Sequence, residues 1–319
     1  MRTRRNGWAL AGASALVVAL LAASLLTGEF DIFSSEFGAE MFAISRVPRT
    51  VALVLSGAAM AMSGLVMQLL TQNRFVEPTT TGTTEWAGLG LMLMMFFFPS
   101  ASIMSKMIAA VGFAFIGAMI FFLFLRRVSL RSSLVVPIVG IMLGTVVSAI
   151  STFFALYTNM LQSLSVWFAG SFTSVYQGQY EVLWIVLAVV AGVYVIADRL
   201  TLAGLGEEYA TNLGVNYQQI VLVGTALIAL ATGVVTVVVG MLPFLGLIVP
   251  NLVSMLRGDD MRSNLPWVCL AGIAVVTVCD LLARVVIAPF EMPVSVILGI
   301  VGAIVFITLL LKGRHRVSR

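Results

Sequence analysis

The 319-residue sequence has a single histidine and two cysteines, and only 10% of its residues are charged. Each shortage excludes a chemistry. The lone histidine, His315, sits in the basic tail KGRHRVSR, so no His/Cys cluster is available for a metal site and no Ser, His and Asp set for a hydrolase. Cys269 and Cys279 fall in one apolar stretch, about 15 Å apart along a helix axis, which is too far to pair. A phosphate-binding P-loop needs Gly-Lys-Ser or Gly-Lys-Thr, because its lysine must reach the terminal phosphates. Here Lys106 and Lys312 are followed by Met107 and Gly313, so this chain does not hydrolyse nucleotide by that route. Membrane-embedded carboxylates, the usual equipment of an ion-coupled carrier, are also scarce. The candidates are Glu85 and Asp280, and Arg284 follows Asp280 at i+4, the spacing of a local ion pair on one helix face.

What the sequence has in abundance is apolar length. It is 60% hydrophobic with a mean hydropathy of +1.07, outside the range of soluble domains. Apolar stretches of spanning length recur along the chain, which predicts an all-α integral membrane protein, one membrane domain over residues 1–319. Ten candidate spans are expected, at 8–28, 47–70, 82–98, 103–125, 132–158, 181–198, 218–241, 243–256, 264–287 and 292–311. The first is read as an uncleaved helix, since SLLTGEF is a poor cleavage site. An even number of spans puts both termini on one side. With that side cytoplasmic, all 18 basic residues face inward except Arg46, Arg49, Lys106 and Arg284, as the positive-inside rule requires. The isoelectric point near 9.4 then points to anionic lipid headgroups and not to nucleic acid.

Several local patterns stand out. ISRVPRTVALVLSG (44–57) places Arg46 and Arg49 at the outer edge of the second span, against the usual charge asymmetry. Gly57, Ala61 and Gly64 share one helix face, a close-packing signal. Residues 159–172 are too short and polar to span and are expected to lie along the surface. The span at 243–256 carries Pro243 and Pro250 and is expected to be broken or surrounded by protein. An inner loop at 199–217 holds a short amphipathic segment with Gly206 and Gly214 at its ends, which could equally be a plain interfacial helix or a partner's seat.

Together the stretches RVPR (46–49), SGAAMAMSGLVMQLLTQN (56–73), GEEYATNLGV (206–215), GMLPFLGLIVPNLVSMLRGDDMRSNLP (240–266), CDLLAR (279–284) and FEMPVSVILGIVGAIVFITLLLK (290–312) resemble the permease family of iron-siderophore, haem and cobalamin importers of the ABC class. The resemblance implies a type II importer permease fold in the bacterial plasma membrane. It implies a permease dimer, with a paralogue or a second copy, two ATPase subunits that carry the ATP, and an extracytoplasmic binding protein that delivers ferric siderophore. No cofactor is expected on this chain. By the same resemblance Arg46, Arg49 and Arg284 receive acidic residues of the binding protein. Gly206, Glu207, Glu208, Ala210, Leu213 and Gly214 seat in the ATPase, and Asn73 and Phe75 form the cytoplasmic gate. The chain departs from the family pattern in having Asn73-Arg74-Phe75 for Asn-Pro-Leu and Pro250-Asn251 for Pro-His. These changes resemble the subgroup associated with catecholate-type siderophores. The alternatives are a cobalamin or haem permease of the same fold and an ion-coupled secondary carrier.

Overall fold

The structure is a computed structural model that describes residues 2–28, 37–127, 135–258 and 260–317, with side chains for those between 7 and 308. Arg131 and Arg319 lie outside the described residues, and the side chains of Arg2, Arg4, Arg5, Lys312, Arg314, His315 and Arg316 lie outside the described side chains. Among the described residues every regular element is a helix. In chain order they are α1 (Arg2–Leu26), α2 (Gly38–Met41), a π-helical turn (Phe42–Arg46), α3 (Val47–Leu70), α4 (Thr83–Phe97), α5 (Ile103–Arg127), α6 (Val135–Tyr157) and α7 (Leu161–Phe168). A 3-10 turn (Glu181–Trp184) then leads into α8 (Ile185–Val195), α9 (Ala197–Ala203), α10 (Glu207–Asn212), α11 (Tyr217–Val238), α12 (Leu245–Arg257), α13 (Met261–Val285) and α14 (Val294–Val317).

Each of the ten expected apolar stretches is helical over most of its described residues, but not all are long enough to cross alone. Six helical stretches are, and the pair Glu181–Val195 with Ala197–Ala203, bent by 62°, reaches that length only if it is taken as one. The rest are short: α4 has 15 residues, α12 has 13, and the apolar part of α14 is Val294–Thr308. At the helical rise α12 is only about 20 Å long. Irregular backbone beside so short a helix needs protein partners, since lipid offers none.

The centre of the bundle is α3, with 18 of its 24 residues buried, so it faces neighbouring helices rather than lipid. Its small residues allow this, because without a hydrophobic drive in lipid, helices associate by close packing. A Cβ on Gly57 would fall 2.9 Å from the Ile273 Cα of α13, and one on Gly64 would fall 1.9 Å from the Gly246 carbonyl oxygen of α12. The small-residue stripe is thus a packing face. Pro250 removes the N–H that would bond the Gly246 carbonyl within α12. Gln68 Nε2 of α3 donates to that carbonyl instead, at 3.2 Å. Helix α7 is the surface helix expected at 159–172, and Phe168 at its end leaves no room for a side chain on Gly88 of α4.

Candidate functional site

At one end of the bundle, α1, α3, α13 and the segment before α14 meet in an ionic cluster. Asp280 is buried to 1% exposure between two guanidinium groups. Arg49 Nη2 donates to its Oδ1 at 2.8 Å, and Arg284 Nη2 donates to its Oδ2. The i, i+4 pair Asp280–Arg284 therefore forms, but the sequence spacing did not disclose that Arg49 shares it. A carboxylate with one cation on each oxygen is fully matched, which is the condition for burying it.

The three arginines have different surroundings. Arg284, at 8% exposure, also donates from Nη1 to the Ser24 and Thr27 carbonyls (3.1 and 3.0 Å) and from Nη2 to the Ser24 hydroxyl (3.0 Å). Arg46, placed by the π-helical turn, donates from Nη1 to the Leu25 and Leu26 carbonyls at 2.9 and 3.1 Å. Both thus satisfy carbonyls at the end of α1 that lack helical partners, where the helix dipole also favours positive charge. Arg49 Nη1 turns to Glu291, 3.1 Å from Oε1 and 2.8 Å from Oε2. Glu291 also accepts from the Thr173 hydroxyl at 2.7 Å. Burial pushes the Glu291 carboxyl up, but Arg49, the Thr173 hydroxyl and the more distant Arg284 outweigh it and hold the group below its ordinary range. Glu291 and Thr173 carried no signal in the sequence, because their importance comes from a contact with Arg49 across 242 positions and with each other across 118.

The other end of α3 lies about 36 Å away at the helical rise. Here the chain leaves α3 through Gln72, whose φ is +49°, and enters the segment 73–77. Asn73 is buried, and its Oδ1 accepts from the Phe75 N–H at 2.9 Å, closing a local turn. The Phe75 ring meets Phe306 of α14 edge-on, with centroids 5.8 Å apart. Asn251 Nδ2 of α12 donates to the Arg74 carbonyl at 2.7 Å. Glu77, fully buried, accepts from the Phe244 N–H at 2.8 Å and from the Thr79 hydroxyl at 2.6 Å. Its carboxylate thereby caps the start of α12, where Phe244 has φ +63° and offers no cap of its own. Gly246 leaves room for it, since a Cβ there would lie 3.1 Å from Glu77 Oε2. Glu77 was not legible as a cap, because the helix it caps begins 168 residues later.

Beside this segment runs the loop 204–216. Gly206 (φ +108°) and Gly214 (φ +80°) bracket α10, in conformations that side chains resist. Ala210 is buried beneath the helix, whereas Glu207, Glu208 and Leu213 face outward with Tyr209. Asn216 then starts α11 by accepting the Gln219 N–H at 3.1 Å. A Cβ on Gly206 would lie 3.4 Å from the Gln72 side chain, and one on Gly204 would lie 2.9 Å from Leu69. The loop therefore rests on the end of α3 from which Asn73 hangs. Between them is a cavity of about 340 Å³ whose lining includes the amides of Gln68, Gln72, Asn73, Asn251 and Asn264 among apolar residues such as Leu65, Leu69 and Met261.

Comparison with known proteins places these two ends in a family. The sequence matches the FecCD transport family over residues 10–312. It is 61% identical to the petrobactin import system permease protein FatD of Bacillus anthracis, over 94% of this chain and 90% of that one. It is 39% identical to the ferric-anguibactin transport system permease protein FatD of Vibrio anguillarum, over 84% of this chain and 86% of that one. Among solved structures, the inward-facing conformation of a metal-chelate type ABC transporter superposes with a TM-score of 0.81 at 26% identity, covering 96% of this chain and 99% of the other. The chain belongs to the FecCD transport family and is a multi-pass membrane transport component, not an enzyme.

Proposed function

We propose that this chain is the permease of an ATP-driven importer of ferric siderophore, of catecholate type. The observation that carries the reading is the 61% identity to a petrobactin import permease across nearly the whole of both chains. The Arg74 and Asn251 departures support the same subgroup. In this reading all ten apolar helices belong to a single permease domain, α4, α12 and α14 completing the bundle as short or broken spans, with both termini cytoplasmic. The Arg49 end then faces outward and the Asn73 end inward. ATP is bound by two ATPase subunits and not by this chain, and a second permease, a paralogue or another copy, completes the path.

The two ends divide the work. Glu207, Glu208 and Leu213, with Gly206 and Gly214 setting the shape and Ala210 anchoring it, form the seat for the ATPase. Movement of this loop reaches α3 through Gly206 against Gln72 and Gly204 against Leu69. The gate segment Asn73–Phe75 is attached to the same helix end, so a rigid shift of the loop shifts the gate against α12 and α14. At the outer end the binding protein docks on the surface around Arg46 and Arg49, and Arg284 acts from beneath by fixing Asp280. Arginine suits such a surface because its planar fork binds carboxylates and stays charged.

The test is replacement. Expressed in Bacillus anthracis cells lacking FatD, this chain restores uptake of radioactive iron from petrobactin; cells that stay deficient despite normal membrane levels of the chain contradict the siderophore assignment.

A further inference from the structure

The two acids of the outer cluster are held differently. Asp280 is enclosed at 1% exposure and carries a guanidinium on each oxygen, so no incoming group can replace it. Glu291 stands on the segment between α13 and α14 with 26% of its side chain exposed. Its partners are Arg49 Nη1 and the Thr173 hydroxyl. The Thr173 side chain is itself oriented by Ser171, with the two hydroxyls 2.9 Å apart and the Thr173 N–H donating to Ser171 Oγ at 3.2 Å. Arg49 is thus divided: one amino group is committed to a fixed acid, the other to an acid at the surface.

We propose that Arg49 Nη1 and Thr173 Oγ1 form a carboxylate seat, which Glu291 occupies in the undocked protein and yields to an acidic side chain of the docking protein. The proposal rests on the docking reading above. It adds Thr173 as a docking residue and Glu291 as a built-in competitor. The physical reason for a competitor is the cost of leaving one amino group of Arg49, a side chain at 11% exposure, without an acceptor while the other stays on Asp280. With Glu291 in place Arg49 is paired in both states, and docking exchanges one carboxylate for another instead of burying a new pair. The same exchange lowers affinity, because the seat is open only while Glu291 is out of it, and apparent affinity falls by that fraction. A transport cycle needs a binding protein that leaves after delivery, and the competitor supplies part of that release.

The test is docking affinity, measured on the permease–ATPase complex in lipid nanodiscs with a lipid-anchor-free binding protein loaded with ferric petrobactin. Glu291→Gln keeps the side chain's shape and removes its charge, and it tightens docking by about tenfold. Glu291→Ala carries the same expectation should the amide fail to assemble. Glu291→Asp keeps the charge and stays within about twofold of the wild type. In the Glu291→Gln background, Thr173→Val gives back about threefold of the gain, because the incoming acid loses its hydroxyl donor. Arg46→Glu with Arg49→Glu tests the underlying reading: unchanged affinity there removes the docking surface altogether. If that double reversal abolishes docking while Glu291→Gln leaves affinity unchanged or weaker, docking stands and the competitor does not. Equal tightening by Glu291→Asp also overturns the proposal, because it traces the effect to a loosened loop and not to the carboxylate.

Discussion

Asn251 Nδ2 lies 2.7 Å from the Arg74 carbonyl oxygen and donates to it, so two of the three positions that set this sequence apart from the pattern of the family it resembles are in contact. The same amide donates to the Leu247 carbonyl, also at 2.7 Å. Asn251→Ala removes one donor from each of these oxygens, and the expected loss is about 1–3 kcal/mol in thermal unfolding, with reduced uptake. Asn251→His and Arg74→Pro, which restore the family residues, are each expected to be harmful alone and better tolerated together. A double-mutant cycle checks this, with an expected coupling of about 0.5–3 kcal/mol. Strict additivity would show that the two departures are independent.

Asp280→Asn removes the charge shared by Arg49 and Arg284, leaving Arg49 with Glu291 and Arg284 with the Ser24 and Thr27 oxygens alone. A stability loss of about 3–5 kcal/mol is expected from breaking a buried pair. Chemical unfolding of the purified protein in detergent measures it. A loss below about 1 kcal/mol would show that the cluster is hydrated and exchangeable throughout.

The pH response of the same end has a fixed sign. The Glu291 carboxyl lies below its ordinary value of 4.5 in the folded protein, with Arg49 and the Thr173 hydroxyl outweighing burial. Its stabilisation is therefore fully present above 4.5 and is lost as the pH falls through the lowered folded-state value. Melting temperature followed into acid should show a decline in the wild type that is smaller in Glu291→Gln. Identical acid limbs would mean that the Arg49–Glu291 bond contributes nothing to the fold.

Much of this architecture was legible from residue order. The ten apolar stretches are helical over most of their described residues, because hydrophobic length is a local property, and Gly57, Ala61 and Gly64 marked the packing face of α3 because small residues on one helix face have few other uses. Proline at 250 disclosed that α12 would need outside support. What no local pattern could disclose is which residue supplies it. Gln68 on α3, Glu77 at the start of α12, and Glu291 opposite Arg49 act across long sequence separations. Arg46 and Arg49 were legible as unusual, but their partners among the α1 carbonyls and Asp280 were not, since those contacts exist only once three helices have packed.

The loop at 204–216 yields a prediction about coupling. Glu207→Lys with Glu208→Lys reverses the charge on an exposed face without touching the buried Ala210. Membrane level should stay near normal while co-purification of the ATPase subunits and uptake are lost. Gly214→Val acts differently, by forcing a branched side chain into φ +80°, at a cost of about 1–2 kcal/mol or more in that turn. It should reshape the seat and give the same transport defect. Normal co-purification and uptake in both variants would show the loop to be only a connector.

The central claim is that this chain moves ferric siderophore by ATP hydrolysis on partner subunits. The most direct measurement is uptake of radioactive ferric petrobactin into proteoliposomes containing this chain and its partner permease with their ATPase subunits, the loaded binding protein being supplied on the outer side. Accumulation that requires ATP on the ATPase side and the binding protein on the other, and that persists when proton and sodium gradients are collapsed, is the predicted result. Accumulation by this chain alone, driven by an ion gradient and indifferent to ATP, would contradict it.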